Sequence, residues 1–276
     1  MRVLTLIIGA VVSFAACSPM SMPPRPQVSV EQAKAAYQGE LTPDLMHALL
    51  LADMAFKRNE LNIAVDNYAF VAKVTQDAEI AERATRVAFY AKRYKVALEA
   101  AQIWEQQSPE TREIPQIMAM LHFRSGDIDS SLTYWRKILN SNGHTAEQIF
   151  LQVSRVLANE ADKEAVLRLM QALVAEYEQL PHAHLAYARL ALEANDFPLA
   201  HAELNRTLQL KPHWWRANVL RAQTYSKEDK WQEAEDSLAQ AVNSRPKDAE
   251  LRLRYDRLLF ERGSYHKAKK QFSILQ

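Results

Sequence analysis

The sequence predicts an all-α protein, a solenoid of about seven helix-turn-helix repeats, and two observations carry that reading. Only five glycines occur in 276 residues, which leaves few of the tight turns that a β-rich fold needs, while Ala, Leu, Glu, Gln, Arg and Lys are abundant helix formers. The second observation is internal repetition. One aligned column of small residues runs Ala64, Ala97, Ser131, Ala165, Ala200, Ala234 and Ala268, with spacings of 33, 34, 34, 35, 34 and 34. A period of 34 accommodates two helices and a turn, and small residues recur where neighbouring helices pack closest.

Other columns fix the register. Three residues before each small residue stands a side chain expected to open the second helix: Leu61, Tyr94, Ile128, Asp162, Phe197, Trp231 and Tyr265, all large and apolar in character except Asp162. Twelve before it, a small first-helix residue is expected, and the column reads Ala52, Thr85, Ala119, Val153, Ala188, Ala222 and Asp256. Pro109, Pro212 and Pro246 fall between repeats, where a residue without an N–H stops one helix and starts the next. Gly126-Asp127, Asn195-Asp196 and Gly263 punctuate hairpin turns. The repeats span approximately 45–77, 78–111, 112–145, 146–180, 181–214, 215–248 and 249–276, the last incomplete and the fourth the most degenerate. Breaks about every 15 residues exclude the long heptads of a coiled coil. This period and register resemble the tetratricopeptide repeat (TPR), and the resemblance implies a right-handed superhelix whose first helices line a concave face.

The segment before the repeats has a different character. Met1-Arg2, an apolar run from Val3 to Phe14 and the small pair Ala15-Ala16 form a signal-peptide pattern over residues 1–16, too short to span a bilayer. The segment FAAC resembles the lipobox of bacterial lipoproteins, which implies lipidation at Cys17, the sole cysteine. Ser18 rather than Asp follows it, and by resemblance to known sorting signals this implies a lipid anchor on the periplasmic face of the outer membrane. Residues 17–42, with prolines at 19, 23, 24 and 26, read as a tether without a core of its own, with a short helix expected from Val30 to Tyr37. The solenoid follows over 43–276.

The register also nominates a partner-binding groove. One column of outward first-helix positions runs Phe56, Phe89, Phe123, Leu157, Leu192, Ser226 and Phe260; the column three residues earlier runs Asp53, Arg86, Met120, Ser154, Arg189, Gln223 and Arg257. Apolar and cationic side chains thus alternate, a surface for an extended or helical peptide with acidic groups at Arg86, Arg189 or Arg257. The same aromatics could equally complete packing between repeats. Trp214-Trp215, entering the sixth repeat, reads as a seal between repeats or as a binding hot spot. Phe272, Ile274 and Leu275 close the sequence without a polar capping helix; the expectation is a longer array or an end that docks, including on a second copy of the chain.

Charge and composition exclude several function classes. Lys plus Arg (34) nearly balances Asp plus Glu (33), so no bulk field attracts nucleic acid. A single cysteine permits neither an intramolecular disulfide nor a Cys-based metal site. The eight histidines lack ligand spacing, and His182 and His184, two apart, point to different faces of a helix. Asp127-Ile128-Asp129 opens like a calcium loop but lacks the later ligands. No phosphate loop or nucleophile elbow occurs. The expectation is a protein without catalysis, metal or cofactor.

Leu50-Leu51-Ala52, Ala64 through Tyr68, the AERA block Ala81 to Ala84 and Trp104 resemble the start of a group of proteobacterial TPR outer-membrane lipoproteins. That resemblance implies an adaptor that binds a periplasmic carboxyl-terminal processing protease and brings cell-wall hydrolases to it. An envelope assembly factor, pilotin-like or part of outer-membrane protein assembly, is the alternative. A cell-wall-binding accessory subunit of an enzyme is the third reading.

Overall fold

The computed structural model describes residues 28–141 and 145–266, which divide into two compact units at Ser108/Pro109. Cys17, the leader, the four early prolines and Ala268 lie outside the described residues. All regular structure among the described residues is α-helical.

The first unit holds α1 (Val30–Ala36), α2 (Pro43–Lys57), α3 (Leu61–Thr75), α4 (Ala78–Tyr90) and α5 (Tyr94–Gln107). Helix starts are written in their caps. Ser29 and Gln32 form a reciprocal capping box on α1, Thr42 caps α2 with Pro43 in its first turn, and Asp77 accepts from the Ile80 N–H at 2.9 Å on α4. Residues 28–37 correct the reading of 17–42 as a tether without a core. Val28, Val30 and Tyr37 pack with buried Ala33 against Leu45, Phe70, Val71 and Val74 of the first hairpin. Removing this apolar surface from water is what holds so short a helix in place, because seven residues cannot sustain a helix alone.

The second unit holds α6 (Ile114–Arg124), α7 (Ile128–Leu139), α8 (Ala146–Leu157), α9 (Lys163–Ala175), α10 (Pro181–Glu193), α11 (Phe197–Leu210), α12 (Trp215–Lys227), α13 (Trp231–Ser244) and α14 (Ala249–Glu261). In both units consecutive helices pair as hairpins: α2 with α3, α4 with α5, α6 with α7, α10 with α11, α12 with α13. The small-residue column explains the close approach. Ala64, Ala97, Ser131, Ala200 and Ala234 are fully buried and Ala165 nearly so, since no side chain beyond Cβ holds the helices apart.

The turns within hairpins share one backbone device. Asn59, Lys92, Gly126, Asn195, Asp229 and Gly263 all adopt positive φ, between 59 and 83°. Each lies five residues before its small-column partner. The N–H that follows each left-handed residue donates to the carbonyl five residues back: Glu60 to Ala55, Arg93 to Ala88, Asp127 to His122, Asp196 to Ala191, Lys230 to Tyr225 and Ser264 to Leu259, at 2.8–2.9 Å. The left-handed residue's own N–H donates three back, as in Asn59 to Phe56 at 3.0 Å. This is the Schellman closure, which satisfies carbonyls a helix end would leave orphaned.

The fourth hairpin departs from this pattern. Its equivalent position, Glu160, is not left-handed, and side chains close the turn instead: Lys163 Nζ donates to the Ala158 carbonyl at 2.6 Å, and Arg124 of α6 holds Glu160. Asp162, which breaks the apolar opening column, is the N-cap of α9 and accepts from the Ala165 N–H at 2.9 Å. At the small first-helix position stands Val153, fully buried. With that extra bulk, α8 and α9 lie less closely on each other than the other hairpin pairs, and both pack chiefly against α10.

Candidate functional site

In the second unit the inner faces of the first helices form two adjoining cavities. The first, of about 480 Å³, lies between α8, α10, α12 and α14, with Trp214 at its wall. The second, of about 1350 Å³, continues between α10, α12 and α14 and reaches Leu238 of α13 and Tyr265. Arg189, Val219, Gln223 and Arg254 line both.

The Trp pair shapes the first cavity. Trp214 is buried, 7% exposed, with the His182 ring edge-on at 4.5 Å and Lys211 Nζ 4.5 Å from its centroid. Trp215 packs against the cores on both sides of the junction, and the guanidinium groups of Arg216 and Arg245 each lie 5.2 Å from its ring. The two tryptophans therefore seal the fifth hairpin to the sixth and also line the cavity. Burial lowers the His182 pKa; Glu147, 3.5 Å from Nδ1, acts against this, and Lys211 and Arg216 act with it. The imidazole is consequently neutral near pH 7.

His184, one turn-face away, has a structural task. Its Nδ1 contacts Glu203 at 2.6 Å and its Nε2 the Glu178 carbonyl at 2.9 Å. Burial opposes charging, but the Glu203 hydrogen bond, the Glu178 carbonyl and the Glu203 charge prevail over it and over Arg206, so the pKa is raised.

The residues nominated by the register fall into distinct environments. Arg189, Leu192, Gln223, Ser226, Arg257 and Phe260 converge on the second cavity, and Phe260 is 63% exposed. Met120, Phe123 and Leu157 are buried, which corrects their assignment to a binding stripe: these side chains are consumed by packing between helices. Leu192 is buried as well and contributes only a wall. Ser154 is buried at the edge of the first cavity.

In the first unit the corresponding charges are already paired. Asp53 accepts from the Tyr68 hydroxyl and lies 3.2 Å from Arg83 Nη1; burial first, then Asp53, pushes the Tyr68 pKa up to about 12. Arg86 pairs with Glu82 at 2.8 Å and lies 5.6 Å from the Trp104 ring. Phe89 is partly buried, edge-on to Tyr94 at 5.9 Å, while Phe56 is 45% exposed.

His182, Leu185, Arg216, Val219 and Arg254 line the first cavity without having been singled out as groove residues. Helical spacing contains the signal: Arg254 is three before Arg257, while His182 and Arg216 are seven before Arg189 and Gln223. Steps of three and seven stay on one helix face. Among the described residues, no three His, Cys, Asp or Glu side chains are grouped to hold a metal, and no helix is long and apolar enough to cross a membrane.

Paired helices with a period of about 34 residues and close packing at the small column define the architecture of each unit. The fold is of the tetratricopeptide kind. No family model matches the chain. The chain is similar to the TPR repeat-containing protein PA4667 of Pseudomonas aeruginosa, with 28% identity over 253 residues, 91% of this chain. It spans 42% of the length of that relative. Solved structures similar to it include MamA (residue 41 to the end) of Desulfovibrio magneticus RS-1, with 15% identity, 59% of this chain and 92% of that one covered, and a TM-score of 0.42. Another is the TPR2AB domain of yeast Sti1 in complex with pHSP90, with 14% identity, coverage of 82% and 98%, and a TM-score of 0.34.

Proposed function

We propose that this protein is a periplasmic scaffold, anchored to the outer membrane through lipidated Cys17, whose repeat array holds partner proteins. The observation that carries the binding role is the open surface of the second unit, where Arg189, Gln223, Arg257 and Phe260 from three successive first helices face a common groove. A set of rigid helices presenting matched side chains suits capture of an extended segment, with pockets for side chains giving specificity. The lipobox pattern supports the anchor, and the early sequence blocks support an adaptor that recruits a carboxyl-terminal processing protease and cell-wall hydrolases. Tethering two clients to one scaffold raises their effective concentration without a new catalytic group.

Affinity purification of the full-length lipidated protein from solubilised envelopes tests this reading. Recovery of the protease together with a hydrolase is expected; recovery of pilus or barrel-assembly subunits alone would favour the assembly-factor alternative. Cys17→Ser should release the folded protein from the membrane, and continued retention would place the anchor elsewhere.

A further inference from the structure

The groove of the second unit carries information about the chemistry of its occupant. In the first cavity the charged lining residues are Arg189, Arg216 and Arg254 against Glu147. Arg189 has no hydrogen bond or ion pair with any described residue. The Arg216 guanidinium lies 5.2 Å from the centroid of the Trp215 ring, and its charge bears on His182. Arg254 is held by Glu250 on its own helix at 2.8 Å, in a pair whose side chains are 49% and 76% exposed; such a pair contributes little and exchanges readily for a better-placed anion. The apolar part of the lining includes Leu151, 47% exposed, with Leu185, Val219 and Trp215.

The second cavity and the ion pairs of the first unit differ. The second cavity balances Arg189, Lys227, Arg254 and Arg257 with Glu193, Glu250, Asp256 and Glu261, and exposes Leu253 and Phe260. In the first unit, Asp53 and Glu82 already occupy Arg83 and Arg86. The first cavity, by contrast, sets three guanidinium groups, from α10, α12 and α14, against one carboxylate beside aromatic surface.

From this complementarity we infer that the first cavity takes an internal peptide segment of a partner in which an Asp or Glu stands beside a bulky apolar residue. The carboxylate meets Arg189 and Arg254, a planar and multidentate donor pair suited to it, and the apolar neighbour packs on Trp215 and Leu151. An internal segment fits better than a free carboxyl terminus because the two cavities share walls and let a chain run on toward Phe260, while the Glu147 carboxylate lines the first cavity alone. The inference rests on the scaffold reading and names the chemistry of the bound segment.

Selection of carboxyl-amidated twelve-residue peptides from a random library on the full-length protein tests it. Enriched sequences should carry Asp or Glu within two positions of Trp, Phe or Leu. Affinity for such a peptide, followed by tryptophan fluorescence, should fall about tenfold or more in the double variant Arg189→Gln/Arg254→Gln. The double Lys variant should retain part of it, and the peptide's own Asp→Asn version should bind weakly and equally to all three proteins. Enrichment of peptides without acids, absence of any enriched peptide, unchanged affinity in the Gln variant with helicity intact, or a need for a free carboxyl terminus would each overturn the inference. The two readings fail separately. Envelope partners captured equally by wild type and the Gln variant would sink this inference and leave the scaffold standing, whereas acidic peptides that bind while no envelope protein is captured would sink the scaffold alone.

Discussion

Arg124 grips Glu160 through two nitrogens, with Nη2 2.8 Å from Oε1 and Nε 3.2 and 3.3 Å from the two oxygens, at the turn that lacks a left-handed residue. The pair joins the third hairpin to the fourth, and its side chains are 27% and 12% exposed. Where the other turns are closed by backbone geometry, this one is closed by charge.

Replacing Arg124 by Met should therefore loosen the fourth hairpin. The loss is expected to be about 2 kcal/mol, because a largely buried carboxylate is left without its partner. Hydrogen exchange should quicken first at the carboxyl end of α8. A double-mutant cycle with Glu160→Gln that returns no coupling would show that the pair contributes nothing.

The left-handed turns predict opposite outcomes for two substitutions. A Cβ on Gly126 would meet nothing within 4 Å, yet φ is +83°, so Gly126→Ala should lower stability by about 1 kcal/mol through backbone strain alone. Lys92 carries that strain already at φ 59°, and Lys92→Gly should raise stability by about 0.5 kcal/mol. Glu160→Gly should bring no gain. Denaturation midpoints of the three variants check the pattern.

The small column makes a further prediction. Ser131 is fully buried and its Oγ has no hydrogen-bond partner, so Ser131→Ala should stabilise the protein by about 1 kcal/mol. Ala200→Leu, at the equivalent fully buried position, should destabilise it by about 1–3 kcal/mol through overpacking. If both variants unfold at the wild-type midpoint, the column is not a packing constraint.

The register of the hairpins was legible because close packing permits little beyond Ala or Ser at one position per repeat, and the sequence keeps that position. Less was legible where two physical demands compete for a residue. Asp162 failed as an apolar opener because it serves as an N-cap, and Lys92 gives no turn signal because its left-handed backbone does not depend on its side chain. In the groove, Arg189, Arg257 and Phe260 were visible from spacing. Met120, Phe123 and Leu157 share those columns, but neighbouring helices cover them, and a periodic pattern along one helix carries no record of how closely the next one approaches. Trp214 and Trp215 both seal the junction and line the cavity, a double placement that spacing along the chain does not display.

Two histidines two residues apart should titrate in opposite directions from 6.5. His184, whose folded pKa is raised, contributes stability that is fully present below pH 6.5 and is lost as pH rises through its folded value. His182, whose folded pKa is lowered, contributes stability that is lost as pH falls below 6.5 toward its folded value. Imidazole resonances followed by NMR should place the His184 midpoint above that of His182. Coincident midpoints would contradict the environments described for both rings.

Asn, Lys, Gly and Asp all occupy the same left-handed spot in successive turns. A junction that asks only for the sign of φ accepts very different side chains, each Cβ costing about 1 kcal/mol against Gly, so mutation can rewrite the surface beside each turn while the step from helix to helix is inherited unchanged. Glu160 has the reverse condition. It is bound to the identity of Arg124, and in descendants of this chain those two positions are expected to change together or not at all.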